Sequence, residues 1–436
     1  MSSALEGIKV VDVSQVAAAP VAARHLADFG ADVIHVESTV TGDFWRGYQS
    51  GHGGTVGITS EINYNWENYN RNKRSITINL AQESGRTVVH KLIENADVFI
   101  TNMRPFELDR FELDYSTLER LNPMIIYASI NGYGKKGTDK DSPAYDITAY
   151  WTRAGVPYAM TNTGMPNPTF RPAFGDNLAG MTLAFGIMAA LFVREKTGIG
   201  QEVDVSLYHT GIYQLSFDYA AALATRQDFK EEMIKRRGEA GRVVSPEREQ
   251  IMAEAEAAVA RLSESTRGTL PNSLTISYTT KDERRILLQM LQPDRYFPRF
   301  CRAIGQEQLI QDPRFNSFET RRENSPELTQ ILDEVFKSKT LEEWKPCLGD
   351  IPCAPAQTIM EVIDDPQARE NDFFTSFDHP TYGPLEVISN PAKLSKTPAS
   401  VRMPAPELGQ HTEEILLEYG YTWEDIIQFK EQGIIA

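Results

Sequence analysis

Hydrophobic and polar positions alternate in blocks through the first half of the chain. Ile8-Lys9-Val10-Val11-Asp12-Val13 is a β-branched run, the Ala-rich segment Ala17 to Asp28 follows, and Ala31-Asp32-Val33-Ile34-His35-Val36 opens after Gly30. Strand, helix and strand within about 30 residues predict a βαβ unit with a right-handed parallel crossover. The pattern recurs, with strands over Ser75 to Leu80, Ala96 to Ile100 and Ile125 to Ile130 and helices over Ser84 to Asn95 and Tyr115 to Leu121. A long apolar helix is expected over Leu178 to Glu195, then the turn Thr197 to Gly200 and a strand over Glu202 to Leu207. These blocks predict an α/β fold on an open, mostly parallel, Rossmann-like sheet.

The pattern then changes. Arg226 to Glu264 is dense in Glu, Lys, Arg and Ala, which predicts a charged helical arm. Strand-like runs return at Thr275 to Thr280 and Arg285 to Gln289, inside what reads as a smaller α+β domain. A Pro-rich return arm from Pro391 to Pro406 leads to a last helix near His411 to Tyr419.

Composition narrows the function classes. Hydrophobic residues make up 41% and charged residues 24%, a globular balance. Lys plus Arg number 44 against 60 Asp plus Glu, a net charge of −16 that argues against a nucleic-acid partner. The apolar stretch Leu178 to Val193 is interrupted by Gly180, Thr182 and Gly186, so no membrane span is expected. Glu6 and Lys9 precede any long apolar block, so no secretory leader is expected either. Cys301, Cys347 and Cys353 have neither metal nor disulfide spacing, which favours a reducing, cytoplasmic setting. The seven histidines are scattered without an i, i+4 pair, so no metal site is expected. The first βα turn carries Ala17-Ala18-Ala19-Pro20 where a dinucleotide fold would carry glycines.

The remaining chemistry lies in basic residues and two aspartates. Arg71, Lys73 and Arg74 crowd one strand start, while Arg104, Arg110, Lys135 and Lys136 follow strand ends. Loops at strand carboxyl ends form the ligand crevice of a doubly wound sheet, so Arg104, Lys135 and Lys136 either converge on phosphates there or are ordinary surface charges. Asp146 and Asp176 each precede an apolar helical stretch. Each is either a plain N-cap or a nucleophile that the helix N-terminus keeps ionised. A carboxylate attacking an acyl group gives a mixed anhydride and splits one transfer into two.

An ordered series of short motifs adds to this reading. It runs from Leu5-Glu6-Gly7 through Gly30-Ala31-Asp32-Val33-Ile34-His35-Val36-Glu37, Gly42-Asp43, Asn72-Lys73-Arg74-Ser75 and Gly132-Tyr133-Gly134 to Gly175-Asp176. It continues through Thr197-Gly198-Ile199-Gly200-Gln201, Asp312-Pro313-Arg314-Phe315 and Ile351-Pro352-Cys353-Ala354-Pro355 to Leu408-Gly409-Gln410-His411-Thr412. Over nearly the whole chain, the series resembles the family III CoA-transferases. Tyr145 to Gly155 and Ser206 to Tyr213 are most similar to the branch acting on 2-hydroxy acids and unsaturated acyl-CoAs. Racemases of the same family carry a His before their first catalytic Asp, where this chain has Tyr145, so racemisation is disfavoured.

The resemblance implies a large α/β domain from both chain ends (residues 1–222 and 335–436), a small α+β domain (223–334) and an interlocked dimer. It implies CoA or acyl-CoA as a substrate rather than a resident cofactor, and a carboxylic acid (2-hydroxy, aryl or dicarboxylic) as acceptor. Gln15, Val16, Ala17, Ala18, Lys73, Asn102, Arg110 and Tyr133 fall where family members contact CoA. Asp176 is implied as the acyl-accepting carboxylate, with Asp146 second. Trp151, Tyr158 and Phe174 are candidates for an apolar acyl pocket or for plain core. Two alternatives stay open: a silent CoA-binding subunit paired with an active homologue, prompted by the carboxylate-free stretch Tyr158 to Asn167 and the charged arm, and an intramolecular acyl-CoA isomerase.

Overall fold

A computed structural model describes residues 3–48, 60–161, 170–228, 230–231 and 272–436. Most of the expected arm Arg226 to Glu264, and the 162–167 part of the carboxylate-free stretch, lie outside the described residues. Met1–Ala220 with Pro366–Ala436 forms one compact unit, and Ala221–Asp365 a second.

In the first unit, six strands form one sheet: β1 (Lys9–Val13), β2 (Asp32–Glu37), β3 (Lys73–Thr77), β4 (Val98–Thr101), β5 (Ile126–Asn131) and β6 (Gln201–Ser206). Their order is β3-β2-β1-β4-β5-β6, and every neighbouring pair is parallel. The order reverses between β1 and β4, where Val13 pairs with Thr101 at the carboxyl ends. Ligands of doubly wound sheets bind beyond such a reversal.

Both faces of the sheet are buried from β1 to β5, while the edge strand β6 is largely exposed, and the period of two divides the strand residues between the faces. Val10, Val33, Val98 and Ile126 face one core with α1 (Ala18–Asp28), while Val11, Ile34, Phe99 and Tyr127 face the other. The C-terminal residues Ile415, Leu416, Ile434 and Ile435 complete the second core, so the two chain ends build one layer. The Asn79 N–H donates to the Ile434 carbonyl at 2.8 Å.

All eleven residues of α1 are buried, which explains its alanines: the helix lies between the sheet and the 24-residue helix Phe174–Thr197. The helix expected over Leu178 to Glu195 starts four residues earlier, at Phe174, and runs unbroken through Gly180, Thr182 and Gly186. By length and composition it is apolar enough to cross a membrane. Thr182 does not break it, because its hydroxyl donates back to the Leu178 carbonyl at 2.8 Å. Gly180 does not break it either, since it marks the crossing with α1: a Cβ there would stand 2.5 Å from the Ala18 carbonyl oxygen and 2.6 Å from Val21 Cβ.

The second unit carries an antiparallel three-stranded sheet, Ser277–Thr279, Arg285–Leu288 and Cys353–Pro355. Phe300, Phe336, Leu341, Trp344 and Ile351 share one core with its strands. The return to the first unit therefore comes at Pro366, later than the expected 335. Two further boundaries differ from expectation. β3 starts at Lys73, two residues early, and a final helix Trp423–Glu431 follows the expected last one.

Gly180→Ala is expected to lower stability by about 1–3 kcal/mol through overpacking at the helix crossing. Urea denaturation reads this directly, and a change below about 0.5 kcal/mol would contradict the packing assigned to Gly180.

Candidate active site

The turn after β1 is held from two sides. Asn102, just past β4, pairs reciprocally with Gln15: its Oδ1 accepts the Gln15 N–H at 3.0 Å, and its Nδ2 donates to the Gln15 carbonyl at 2.7 Å. Val16 sits at φ 70°, a left-handed conformation that is an outlier for a β-branched residue. Such strain costs about 1–3 kcal/mol and persists only where the surroundings enforce it. Here the Asp43 carboxylate accepts the Val16 N–H at 3.1 and 3.3 Å and the Trp45 N–H at 2.8 Å.

Asp43 belongs to a chain of buried charges. Its Oδ2 lies 3.7 Å from His35 Nε2, and His35 Nδ1 is 2.9 Å from Asp12 Oδ2. Lys73 Nζ donates to the same Asp12 oxygen and to Asn70 Oδ1, both at 2.9 Å. Burial alone would raise the Asp12 carboxyl, yet the Lys73 and His35 cations hold it well below the usual range. Burial would likewise lower His35, but Asp12 and Asp43 push it up to about 9, so the imidazolium persists at neutral pH.

Across from this turn the long helix begins. Asp146, expected to cap its own following stretch, caps this helix instead: its oxygens accept the Gly175 N–H at 3.1 and 3.2 Å. The stretch after it, Ile147–Arg153, winds as a π-helix with no capping bond from Asp146. A Cβ on residue 175 would meet Asp146 Oδ1 at 2.4 Å and Tyr150 Cγ at 2.2 Å, so only glycine admits the cap. Asp176 follows in the first helical turn, half-buried.

Both carboxyls are raised, which corrects the expectation that the helix N-terminus keeps Asp176 ionised. Burial pushes Asp146 up to about 6, opposed by the backbone N–H groups of Gly175 and Phe174. Burial, reinforced by the negative charge of Asp146, pushes Asp176 up to about 7. Tyr69 is pushed up to about 12, by burial and then by the charge of Asp176. Its ring stacks on Trp45 with centroids 5.9 Å apart, in a cluster with Ala17, Val21 and Ala173 that joins the β1 turn to the start of the long helix.

The aromatic candidates gather beside the aspartates. The Trp151 ring centroid is 5.4 Å from that of Phe174 and 5.5 Å from that of Phe170, with Tyr150 edge-on to Phe174. Trp151 is buried while Phe174 is half-exposed, giving a wall with one open side. Tyr158 is also exposed.

The other candidates separate. Gln15, Val16, Ala17, Ala18 and Asn102 meet where the strand order reverses. Arg104 and Arg110 flank the short helix Pro105–Arg110 beyond β4, both exposed, and Arg104 pairs with Glu107 at 3.2 Å. Tyr133 lies past β5, edge-on to Tyr208, with the Arg153 guanidinium over both rings. Lys135 pairs with Glu202, while Lys136 is exposed.

Lys73 is the main correction. It is fully buried at the amino end of β3, bound to Asp12, and has no open face for CoA. Its neighbours are committed too: Arg71 holds Asp28 at 2.9 Å, and Arg74 holds Asp32 at 2.7 Å and Glu418 at 2.9 Å. The basic run 71–74 thus serves the fold. Sequence reasoning missed His35, Asp43 and Tyr69 as parts of the site. The available signal was His35 and Asp12 inside apolar parallel strands, where continuous hydrophobic runs are the rule, and it did not extend to Asp43 or Tyr69. Among the described residues, no group of three or more His, Cys, Asp or Glu could hold a metal ion.

Residues 5–248 and 248–412 match the family model of CoA-transferase family III. The chain belongs to that family. The transferase is 32% identical to (R)-2-hydroxy-4-methylpentanoate CoA-transferase of Clostridioides difficile, with 99% of each chain covered. It is also 32% identical to cinnamoyl-CoA:phenyllactate CoA-transferase of Clostridium sporogenes, covering 98% of this chain and 95% of the relative. A CaiB/BaiF family protein from Brucella suis has a similar solved structure, with a TM-score of 0.74 and 26% identity over 96% of this chain and 100% of that one. As a family III CoA-transferase, the enzyme uses CoA thioesters as substrates.

Asp146→Asn removes the like charge while leaving an oxygen for the Gly175 N–H. The Asp176 titration, followed by isotope-edited infrared spectroscopy, is expected to move from about 7 toward acid. An unmoved titration would contradict the coupling of the two carboxyls.

Proposed function

We propose that the transferase moves CoA from an acyl-CoA donor to a carboxylic acid through covalent chemistry on Asp176. The observation that carries this reading is a half-buried carboxyl at a helix start, raised by burial and by Asp146, beside an aromatic wall. Desolvation makes its ionised form a stronger nucleophile than a hydrated carboxylate.

An Asp176 oxygen attacks the thioester carbonyl, the C–S bond breaks, and a mixed anhydride and free CoA thiolate result. The thiolate attacks the aspartyl carbonyl, releasing the donor acid and leaving an aspartyl-CoA thioester. The acceptor carboxylate attacks that thioester and forms a second anhydride, again freeing the thiolate. Attack of the thiolate on the acceptor acyl carbon then yields the new acyl-CoA and restores Asp176. Thioester energy is conserved throughout, so no nucleotide is consumed. Asp146 holds the helix start through the Gly175 N–H and keeps the Asp176 carboxyl basic.

On this reading, Gln15 to Ala18 and Asn102 meet the thioester end of acyl-CoA, and Arg104, Arg110 and Tyr133 its more distant parts. The acid is an apolar 2-hydroxy or aryl acid. The aromatic wall and the two relatives named for such substrates support that class.

Hydroxylamine trapping during turnover with an aryl acyl-CoA, followed by peptide mapping, tests the proposal. Modification is expected on the Asp176 peptide, declining as pH falls through about 7 because the nucleophile must be ionised. Modification on Asp146, or undiminished turnover by Asp176→Asn, would overturn it.

A further inference from the structure

One carboxylate outside the β1 turn sets the turn's shape. Val16 at φ 70° stays left-handed because Asp43 takes its N–H at 3.1 and 3.3 Å while also taking the Trp45 N–H at 2.8 Å. Asp43 is in turn anchored from behind by His35, Asp12 and Lys73. These four side chains have no exposed surface, so none can reach a substrate.

The turn they hold abuts the helix of the proposed nucleophile. Val16 packs against the Ala17, Val21, Trp45, Tyr69 and Ala173 cluster, and the Ala18 carbonyl lies at the Gly180 crossing, one turn beyond Asp176. Neither a hydrophobic core nor a βα connection requires a valine with positive φ. The charge chain therefore maintains a local conformation that the sequence at residue 16 opposes.

We infer that Asp43 is a positioning residue for acyl-CoA recognition: by locking Val16 in the left-handed conformation, it aims the Gln15–Ala18 backbone at the thioester before substrate arrives. The inference rests on the reading of residues 15–18 as the acyl-CoA turn. A preorganised turn lowers the cost of binding rather than the barrier of the covalent step, so its loss appears in KM for acyl-CoA more than in kcat.

Steady-state kinetics of the full-length Asp43→Ala enzyme, which has no side-chain acceptor for the Val16 N–H, with amide hydrogen exchange at Val16, test this. KM for acyl-CoA is expected to rise about tenfold, kcat to stay within about twofold, and Val16 exchange to quicken. Adding Val16→Gly should return KM to within about threefold of the parent, because glycine enters the left-handed region without a Cβ penalty. A merely structural role would lower the melting temperature without that split and without rescue by glycine. If Asp43→Ala does not fold, Asp43→Glu keeps a charge against His35 while displacing the carboxylate from both amides, and the same split is expected. Unchanged KM with unchanged Val16 exchange would overturn the role of Asp43. Unchanged KM with faster exchange would show a held turn that acyl-CoA does not meet, overturning the assignment of residues 15–18 as well. A raised KM that glycine fails to rescue would also defeat the inference.

Discussion

Two carboxyls share one helix start, and their mutual repulsion in a poorly hydrated place is the constraint around which the site is arranged. Asp146 is needed there because the first N–H groups of a helix lack partners within the helix. Its oxygens supply one at the Gly175 N–H. That placement sets a negative charge beside Asp176, which burial has already made basic. Gly175 is the steric condition for both, since any side chain would strike Asp146 and Tyr150. A Gly-Asp pair at a helix start and an aspartate about thirty residues earlier thus form one device, in which a structural cap raises the neighbouring carboxyl that we propose as the nucleophile.

The opposing wall is built by a different economy of charge. Asp12, His35 and Lys73 on three adjacent strands and Asp43 in the connection after β2 alternate in sign, so no charge is left unpaired. Breaking such a chain at one member typically costs about 3–5 kcal/mol, although a well-packed apolar replacement of the whole chain can be neutral. What the charges supply beyond packing is a carboxylate placed to accept the Val16 N–H of the β1 turn. The reversal of strand order places this turn beside Asn102, so the wall is gripped at Gln15 and Val16 by two unconnected parts of the chain.

Periodicity in the sequence was enough to find the six strands and their helices, because parallel strands buried on both faces leave continuous β-branched runs. The family was legible from motif order, and the enzyme class came with it. Individual contacts were harder to read. Lys73 stands in a motif that resembles a ligand contact, but its neighbours on the sheet turn it inward to Asp12, and one-dimensional pattern carries no record of that pairing. Asp146 has the local look of an N-cap, yet it caps a helix that begins at Phe174, a relation that only the tertiary fold creates. The boundary at Pro366 was missed because the helix Ser325–Phe336 is amphipathic in a way that suits either unit, and its Phe336 and neighbouring Trp344 settle it by sharing a core with the second sheet.

The central claim is that Asp176 exchanges an oxygen with the acceptor acid in every turnover. When thiolate opens the second anhydride at the acceptor acyl carbon, the bridging oxygen, which came from the acceptor, stays on the aspartate. Turnover with an acceptor acid labelled with oxygen-18 in its carboxylate, followed by peptide mass analysis, reads this directly. Heavy oxygen is expected in the Asp176 side chain and none in Asp146. An unlabelled Asp176 after many turnovers would mean that CoA passes between the acids without a covalent aspartyl intermediate, and would contradict the account.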